Sequence, residues 1–267
     1  MSGPYRSVSA HTSLDRILRH EAAYFTSMAA AGPRDGWVLF HNADFPGRFD
    51  PNHAGVFRAP EGTGQAIVDE IVAFYEGRGT APVAYVDALA TPHDLIPCLL
   101  ARGFVESTEY GESDLMLYVG PDVERPSTAH VEAVRTQRDR EDWASIMEED
   151  RPEPSRSRLA RLYCLEVSDP RTTGYLVRVD GRPAGRCELF SSDGLGRVEA
   201  VRTLAPYQRR GLAAAVVRQA VRDSLRRGNE LTYLYAEHGG EAQRLYERLG
   251  YRTVARNAMR SFRMATR

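Results

Sequence analysis

Val198-Glu-Ala-Val-Arg-Thr-Leu-Ala-Pro-Tyr-Gln-Arg-Arg-Gly-Leu-Ala213 is the stretch on which the reading of this chain turns. It predicts a strand ending near Thr203, then a turn that opens a helix over Leu212 to Arg227. The first four N–H groups of a helix have no partner within it, and the macrodipole places partial positive charge there. A diphosphate docks naturally at such an end. Gly211 lets backbone approach the anion with no Cβ between them, and Ala213 is the next smallest choice at the second small position. Arg209 and Arg210 add charge at the mouth of the turn. An ordinary helix start with solvated arginines would have the same six letters, so the neighbouring sequence must arbitrate.

Downstream, Leu231-Thr-Tyr-Leu-Tyr-Ala236 is rich in aromatic and β-branched residues and predicts a strand. Gly240 to Tyr251 then predicts a helix that stops at Gly250. The run Gln208 to Ala213 resembles the Q/R-x-x-G-x-G/A signature of the GNAT superfamily of N-acetyltransferases. Ala242, Leu245, Tyr246, Leu249 and Gly250 resemble that family's A-x-x-L-Y-x-x-L-G-F pattern, with Tyr251 in place of Phe.

The resemblance implies that acetyl-CoA is the co-substrate, its pyrophosphate held by Gln208, Arg209, Arg210, Gly211, Leu212, Ala213 and Ala214. It implies backbone contacts from Val201 and Thr203 to the acetyl carbonyl and pantetheine arm, and Tyr246 as general acid for the departing thiolate. The attacking amine must be neutral, so a base is needed. Glu199 is the candidate, directly or through water, with Val201 and Thr203 on its own face by the period of two; the other reading is a solvent-facing carboxylate. Two departures stand out. Pro206 sits one residue later than the family's usual proline, and Gly239 stands where many members carry an asparagine for the pantetheine.

From Val131 to Arg267 the predicted order is β-α-α-β-β-β-α-β-α-β-β, with Asp139 entering the first helix and Ser155 to Leu165 forming the second. A hairpin turns at Asp180-Gly181, another turn falls at Asp193-Gly194, and two strands, Tyr251 to Arg256 and Met259 to Arg263, close the chain. This is the order the resemblance implies, and it accounts for about half of the molecule. The remaining length predicts a second domain. The polar, proline-bearing stretch after Val119 places the boundary near Arg125, giving domains 1–125 and 126–267.

The earlier half echoes the later one. Helix Gln65 to Tyr75, strand Val83 to Asp87, helix Pro92 to Arg102, Gly103-Phe104 and strand Asp114 to Val119 keep nearly the same register, with Gly62-Thr63-Gly64 opposite Gly211-Leu212-Ala213 and Gly79 opposite Gly228. Leu99 stands opposite Tyr246, and no Gln-Arg-Arg precedes Gly62. The first copy thus resembles a degenerate acetyltransferase domain. The expected fold class is α/β (α+β), two GNAT-like domains, each a mixed, mostly antiparallel sheet flanked by helices. The aromatic and polar run Trp37 to His53 predicts a long loop that faces a ligand or packs between the halves; His41 and His53 lack metal-ligand spacing, and no metal is expected.

The 267 residues carry a net charge of −1, which gives no electrostatic reason to expect nucleic-acid binding. No apolar run or signal peptide points to a membrane, and three widely spaced cysteines suit reduced thiols in a cytoplasmic protein. All 35 basic residues are arginine, as GC-rich codon usage produces, so the chain offers no lysine for self-acetylation. Glu148-Glu149-Asp150 and Glu153 fall where the family's first two helices face the acceptor, and would attract a cationic amine; interleaved arginines make a solvated mixed-charge surface the alternative. The reading is an acetyl-CoA-dependent N-acetyltransferase acting directly on a small-molecule primary amine, as a monomer or homodimer. A peptide amine as acceptor, or a non-catalytic acyl-CoA sensor, are the alternatives.

Overall fold

The computed structural model describes residues 10–107, 113–120, 129–148 and 153–264. In chain order the elements are α1 (Ala10–Phe25), β1 (Ala30–Arg34), β2 (Trp37–His41), β3 (Ala54–Gly55), α2 (Gly64–Glu76), β4 (Val83–Asp87), α3 (Leu95–Ala101), β5 (Phe104–Glu106) and β6 (Ser113–Tyr118). Then come β7 (Val131–Ala133), α4 (Gln137–Glu148), α5 (Ser155–Glu166), β8 (Thr172–Val179), β9 (Arg182–Ser192) and β10 (Leu195–Thr203). A 3-10 turn (Ala205–Tyr207), α6 (Leu212–Arg226), β11 (Leu231–Glu237), α7 (Glu241–Arg248), β12 (Tyr251–Ala255) and β13 (Met259–Met264) complete it.

Two compact units result, one of residues 9–114 with 255–267, the other of 1–8 with 115–254. Their sheets have the orders β1-β2-β3-β4-β13-β5 and β12-β6-β11-β10-β9-β8-β7. Read from opposite edges the orders correspond once β7 at the edge of the seven-stranded sheet is set aside, and in each the strand beside the last one comes from the other half of the chain. Met259–Met264 therefore closes the first sheet, antiparallel to β4 and β5, rather than the second as chain order suggested. Hydrogen bonding and an alternating apolar face decide a strand's partner, and adjacency in sequence does not. The boundary expected at Arg125 lies outside the described residues.

Backbone angles carry the internal echo. Gly62 and Gly211 share φ = +79°, and Gly103 and Gly250 have φ of +95° and +96°. Each sheet also contains a parallel neighbour pair at its centre, β3 with β4 and β10 with β11.

In the C-terminal unit, α6 lays Ala215, Val216, Val217, Ala220 and Val221 against Cys187, Leu189, Val198 and Leu234. Burial of such side chains contributes about 1.5–3 kcal/mol apiece for the larger ones. The α4 side of β9 is held by Trp143, fully buried, whose indole N–H donates to the Cys187 carbonyl at 2.9 Å. Helix α4 starts at Gln137, two residues earlier than expected. Thr136 is its cap: the Asp139 carboxylate accepts from the Thr136 N–H (2.9 Å) while the Asp139 N–H donates to the Thr136 hydroxyl (3.1 Å). Hairpin β8–β9 turns at Asp180 and Gly181, with φ of +51° and +75°, the left-handed pair a two-residue loop requires.

In the N-terminal unit, Trp37 to His41 is a strand rather than part of a loop, because alternate side chains are buried against α2. His53 is buried among Phe25, Phe40 and Tyr85, with ring centroids 4.2 Å apart at the Tyr85 stack. Its Nδ1 bonds the Asp50 carbonyl at 2.8 Å. Burial pushes the imidazole down to about 3. An unfolded chain takes up this proton below the ordinary histidine range while the folded chain refuses it, so stability is lost as pH falls from about 6.5 towards 3. His53→Phe keeps the ring stack and removes the titration. Its melting temperature, followed by near-ultraviolet circular dichroism, is expected to fall less than that of the unsubstituted protein between about pH 7 and about pH 4; parallel curves would refute the assignment.

Candidate active site

β10 and β11 run parallel and pair only from Leu195–Arg197 to Leu231–Tyr233. Both continue well beyond that register, to Thr203 and Glu237, so they part. The cleft that opens has a volume of about 570 Å³ and is lined by residues 198–203, Ala205, Gln208, Tyr235 and Tyr246. Of the residues singled out in the sequence, Glu199, Val201, Thr203, Gln208 and Tyr246 meet on its walls.

A bulge in β10 shapes the floor. Glu199 faces Glu188 on β9 and Arg202 faces Arg186, so three steps on one strand match two on the other. Ala200 takes up the extra residue at φ = +56°. This overturns the expected alternation. Val198 and Val201 pack on the α6 side, and Thr203 lies over Gly185 and Leu212, whereas Glu199 does not share that face. A signal was present in the sequence: the apolar positions Val198 and Val201 are three apart, a phase slip that a regular strand cannot accommodate.

Beyond Gln208, Gly211 caps α6 at φ = +79°, a left-handed conformation that favours glycine, and Arg209 stands at +61°. The first bond into the helix runs from the Ala215 N–H to the Gly211 carbonyl at 3.0 Å. The amides ahead of it in the first turn, those of Leu212, Ala213 and Ala214, belong to the set a helix leaves for an outside acceptor. The Leu212 side chain is buried, so that residue offers backbone alone. Arg210 lies over the Tyr207 ring at 5.8 Å. Arg209 pairs with Glu241 at 2.7 Å, both well exposed, an arrangement that contributes little in water. Gln208 donates to the Thr203 carbonyl at 3.3 Å, tying the turn to the strand end.

Tyr246, on α7, is only 6% exposed. Burial, with the Glu199 charge second, raises its phenol far above the ordinary range, so it stays protonated. Glu199 is held from two directions: Arg197 donates to its Oε2 at 2.8 Å and the Ala200 N–H to its Oε1 at 3.2 Å. Arg197 itself lies over Tyr235, 5.6 Å from the ring centre. Beneath them Glu188 is fully buried, and burial and then the neighbouring Glu166 carboxyl raise it well above the carboxylate range. Arg186 is buried beside Glu188 on β9, 3.6 Å from the centre of the Trp143 ring.

Arg197, Arg202, Tyr235 and Glu188 were not singled out in the sequence: Arg202 and Tyr235 line the cleft from different strands, Arg197 bonds Glu199, and Glu188 pairs with Glu199 across β9 and β10, all relations between residues of separate elements or of one bulged strand. The side chain of Glu148, and Glu149 and Asp150, lie outside the described residues. Among the described residues no cluster of three or more metal-ligating side chains occurs, and no helix is long and apolar enough to cross a membrane.

Residues 140–251 match the Acetyltransferase (GNAT) family. The chain carries a GNAT domain. That makes it an acyltransferase by family, and the family uses acetyl-CoA. Among solved structures, a GNAT protein from Kribbella flavida superposes with a TM-score of 0.69 at 19% identity, over 95% of this chain and 96% of that one. A tandem GNAT protein from the clavulanic acid biosynthesis pathway gives a TM-score of 0.56 at 12% identity, over 97% and 98% of the two chains. A GCN5-related N-acetyltransferase from Sphaerobacter thermophilus gives 0.53 at 18% identity, over 80% and 74%. At these identities the likeness concerns the fold, and it extends to both units. No curated protein matches the chain.

The buried GNAT-domain carboxyl has a measurable consequence. A carboxyl raised on folding lends stability at low pH that is lost as pH climbs from the ordinary carboxylate range towards its folded value. Glu188→Gln keeps the shape and removes the titration. Relative to the unsubstituted protein it is expected to gain melting temperature steadily from about pH 5 to about pH 8; a constant difference across that range would show that Glu188 does not hold a proton.

Proposed function

We propose that the GNAT domain binds acetyl-CoA with its diphosphate on the turn from Gln208 to Ala214 and transfers the acetyl group directly to the primary amine of a small molecule. One observation carries this reading: the cleft between the parted β10 and β11 has Glu199 and Tyr246 on its walls and reaches Gln208, three residues before the Gly211 that caps α6. Acetyl-CoA supplies the activated acyl group. The turn offers unpaired amides, a positive helix end and two arginines to a diphosphate. Parted strand edges at Val201 and Thr203 offer main-chain groups to the pantetheine arm and the acyl carbonyl, where the developing charge needs donors.

In this reading Glu199 takes the proton of the attacking amine, directly or through a water, and Tyr246 gives one to the sulfur that leaves. A phenol kept neutral by burial still has its proton when the thiolate forms, as a general acid must. The site acts on a free acceptor of the cell interior, and the chain works as a monomer or homodimer. The N-terminal unit is a degenerate copy in this proposal. Gly62, two residues before α2, has the same φ of +79° as Gly211, but the Asp94 carboxylate lies against Gly64, where a Cβ would come within 2.7 Å of its oxygen. A carboxylate at that end repels an incoming phosphate. Buried Leu99 stands where the acid would be.

Calorimetric titration with acetyl-CoA is expected to give one site, lost in Gly211→Asp, which adds both a strained Cβ and a negative charge. Tyr246→Phe is expected to keep that affinity while lowering kcat by about 100-fold or more. Glu199→Gln is expected to lower kcat/KM for the amine with acetyl-CoA affinity retained. Binding without transfer to any amine would make the protein a sensor, and the absence of binding would overturn the proposal.

A further inference from the structure

The segments that leave the two parted strands meet again in a side-chain contact. β10 runs through the 3-10 turn Ala205–Tyr207 into the stretch that carries Arg209, and β11 ends at Glu237, four residues before Glu241 opens α7. The Arg209 guanidinium donates to Glu241 Oε1 at 2.7 Å, across 32 residues of sequence. The bridge thus ties the turn after β10 to the helix that carries Tyr246. Arg209 stands at φ = +61°, a left-handed conformation that residues with side chains seldom adopt, so the turn itself sets the direction in which this side chain leaves.

The two guanidinium groups of the turn are therefore not equivalent. Arg210 rests over the Tyr207 ring, 5.8 Å from its centre, whereas Arg209 is taken by a carboxylate. A second acid stands close to that carboxylate: Glu237 Oε2 lies beside Gly240, 3.6 Å from where a Cβ would be. With side chains 82% and 72% exposed, the Arg209–Glu241 pair is weak in water and open to competition. A guanidinium fork grips a phosphate through two parallel bonds, a stronger arrangement than a single contact to a carboxylate. While the bridge stands, however, Glu241 cancels part of the charge that Arg209 would present to a phosphate, and breaking it costs the free energy of the pair.

We propose that Glu241 tunes the donor site through Arg209: its carboxylate competes with the diphosphate of CoA for that guanidinium, and so limits how tightly the turn holds both the acetyl-CoA that enters and the CoA left after transfer. The inference rests on the acetyl-transfer reading above and concerns its donor site. Both molecules carry the same diphosphate, so a turn that grips it without a competitor also releases its product more slowly.

The test is calorimetric titration of the full chain with acetyl-CoA, CoA and acetyl-dephospho-CoA, which keeps the diphosphate and lacks the 3′-phosphate. Glu241→Gln is expected to tighten binding of all three by about two- to fivefold at low salt, the range that an exposed ion pair spans. In an Arg209→Gln background, itself weaker in binding, Glu241→Gln is expected to change nothing, because the effect passes through the guanidinium. An equal gain in both backgrounds would mean that Glu241 only repels phosphate at a distance, and would overturn the inference. Unchanged affinity in Glu241→Gln, or a gain confined to the ligands with a 3′-phosphate, would overturn it too, with acetyl-CoA binding left intact. Glu241→Ser, whose side chain suits a helix start, takes the place of Glu241→Gln should that variant fail to fold. Absence of acetyl-CoA binding by the unsubstituted protein would overturn the donor-site reading itself, and this inference with it.

Discussion

The parting of β10 from β11 is the constraint on which the rest of the C-terminal unit depends. Two parallel neighbours in a sheet normally stay paired, because each unpaired amide or carbonyl buried away from water costs free energy. Here pairing stops after three residues, and the strand edges that follow line a cleft instead of a ladder. The bulge at Ala200 makes the departure local: it absorbs one residue, increases the twist of β10, and leaves the β9 side paired through Thr203 and Gly185. Everything the site uses is placed by that event, from the carboxylate of Glu199 to the turn that begins beyond Thr203.

Strand exchange serves the same end. The strand beside β11 on its far side is β6, delivered from the earlier half of the chain, and the strand beside β4 is β13, delivered from the end. Each sheet is thus completed by a segment distant in sequence, and neither compact unit is a continuous stretch. A cut in the chain between the two halves would leave each half without the strand that separates the edge strand of its sheet from the rest.

The charge arrangement around the site shows how a low-dielectric floor can be tolerated. Glu166, Glu188 and Arg186 are all buried beneath the cleft. Burial favours the neutral carboxyl, and a proton held between two neighbouring carboxyls reduces the charge that has to be kept dry. Arg186 is spread over Trp143 and Tyr163, where a weakly hydrated guanidinium gains from aromatic faces. Above this floor, Glu199 and Arg197 form the first pair with access to solvent, with side chains 35% and 10% exposed respectively. The change from buried neutral acid to accessible ion pair occurs across a single pair of strands.

Sequence by itself determined the elements that local chemistry controls. The glycine-led helix start, the hairpin at Asp180-Gly181, the helix ending before Gly250 and the register of the internal echo were all legible, because positive φ, turn geometry and apolar periodicity leave their mark on single residues. Tyr246 and Glu199, singled out in the sequence at separate places, both line the cleft. Tertiary structure alone decided which sheet β13 joins, and that Arg202 and Tyr235 line one cleft with Glu199. It also turned Val201 away from Glu199's face, through a bulge whose only trace in the sequence is a phase slip between two valines. The physical reason is common to all three. Strand pairing and side-chain facing are settled by hydrogen bonds and packing between segments far apart in the chain, and no local preference of a residue encodes its partner.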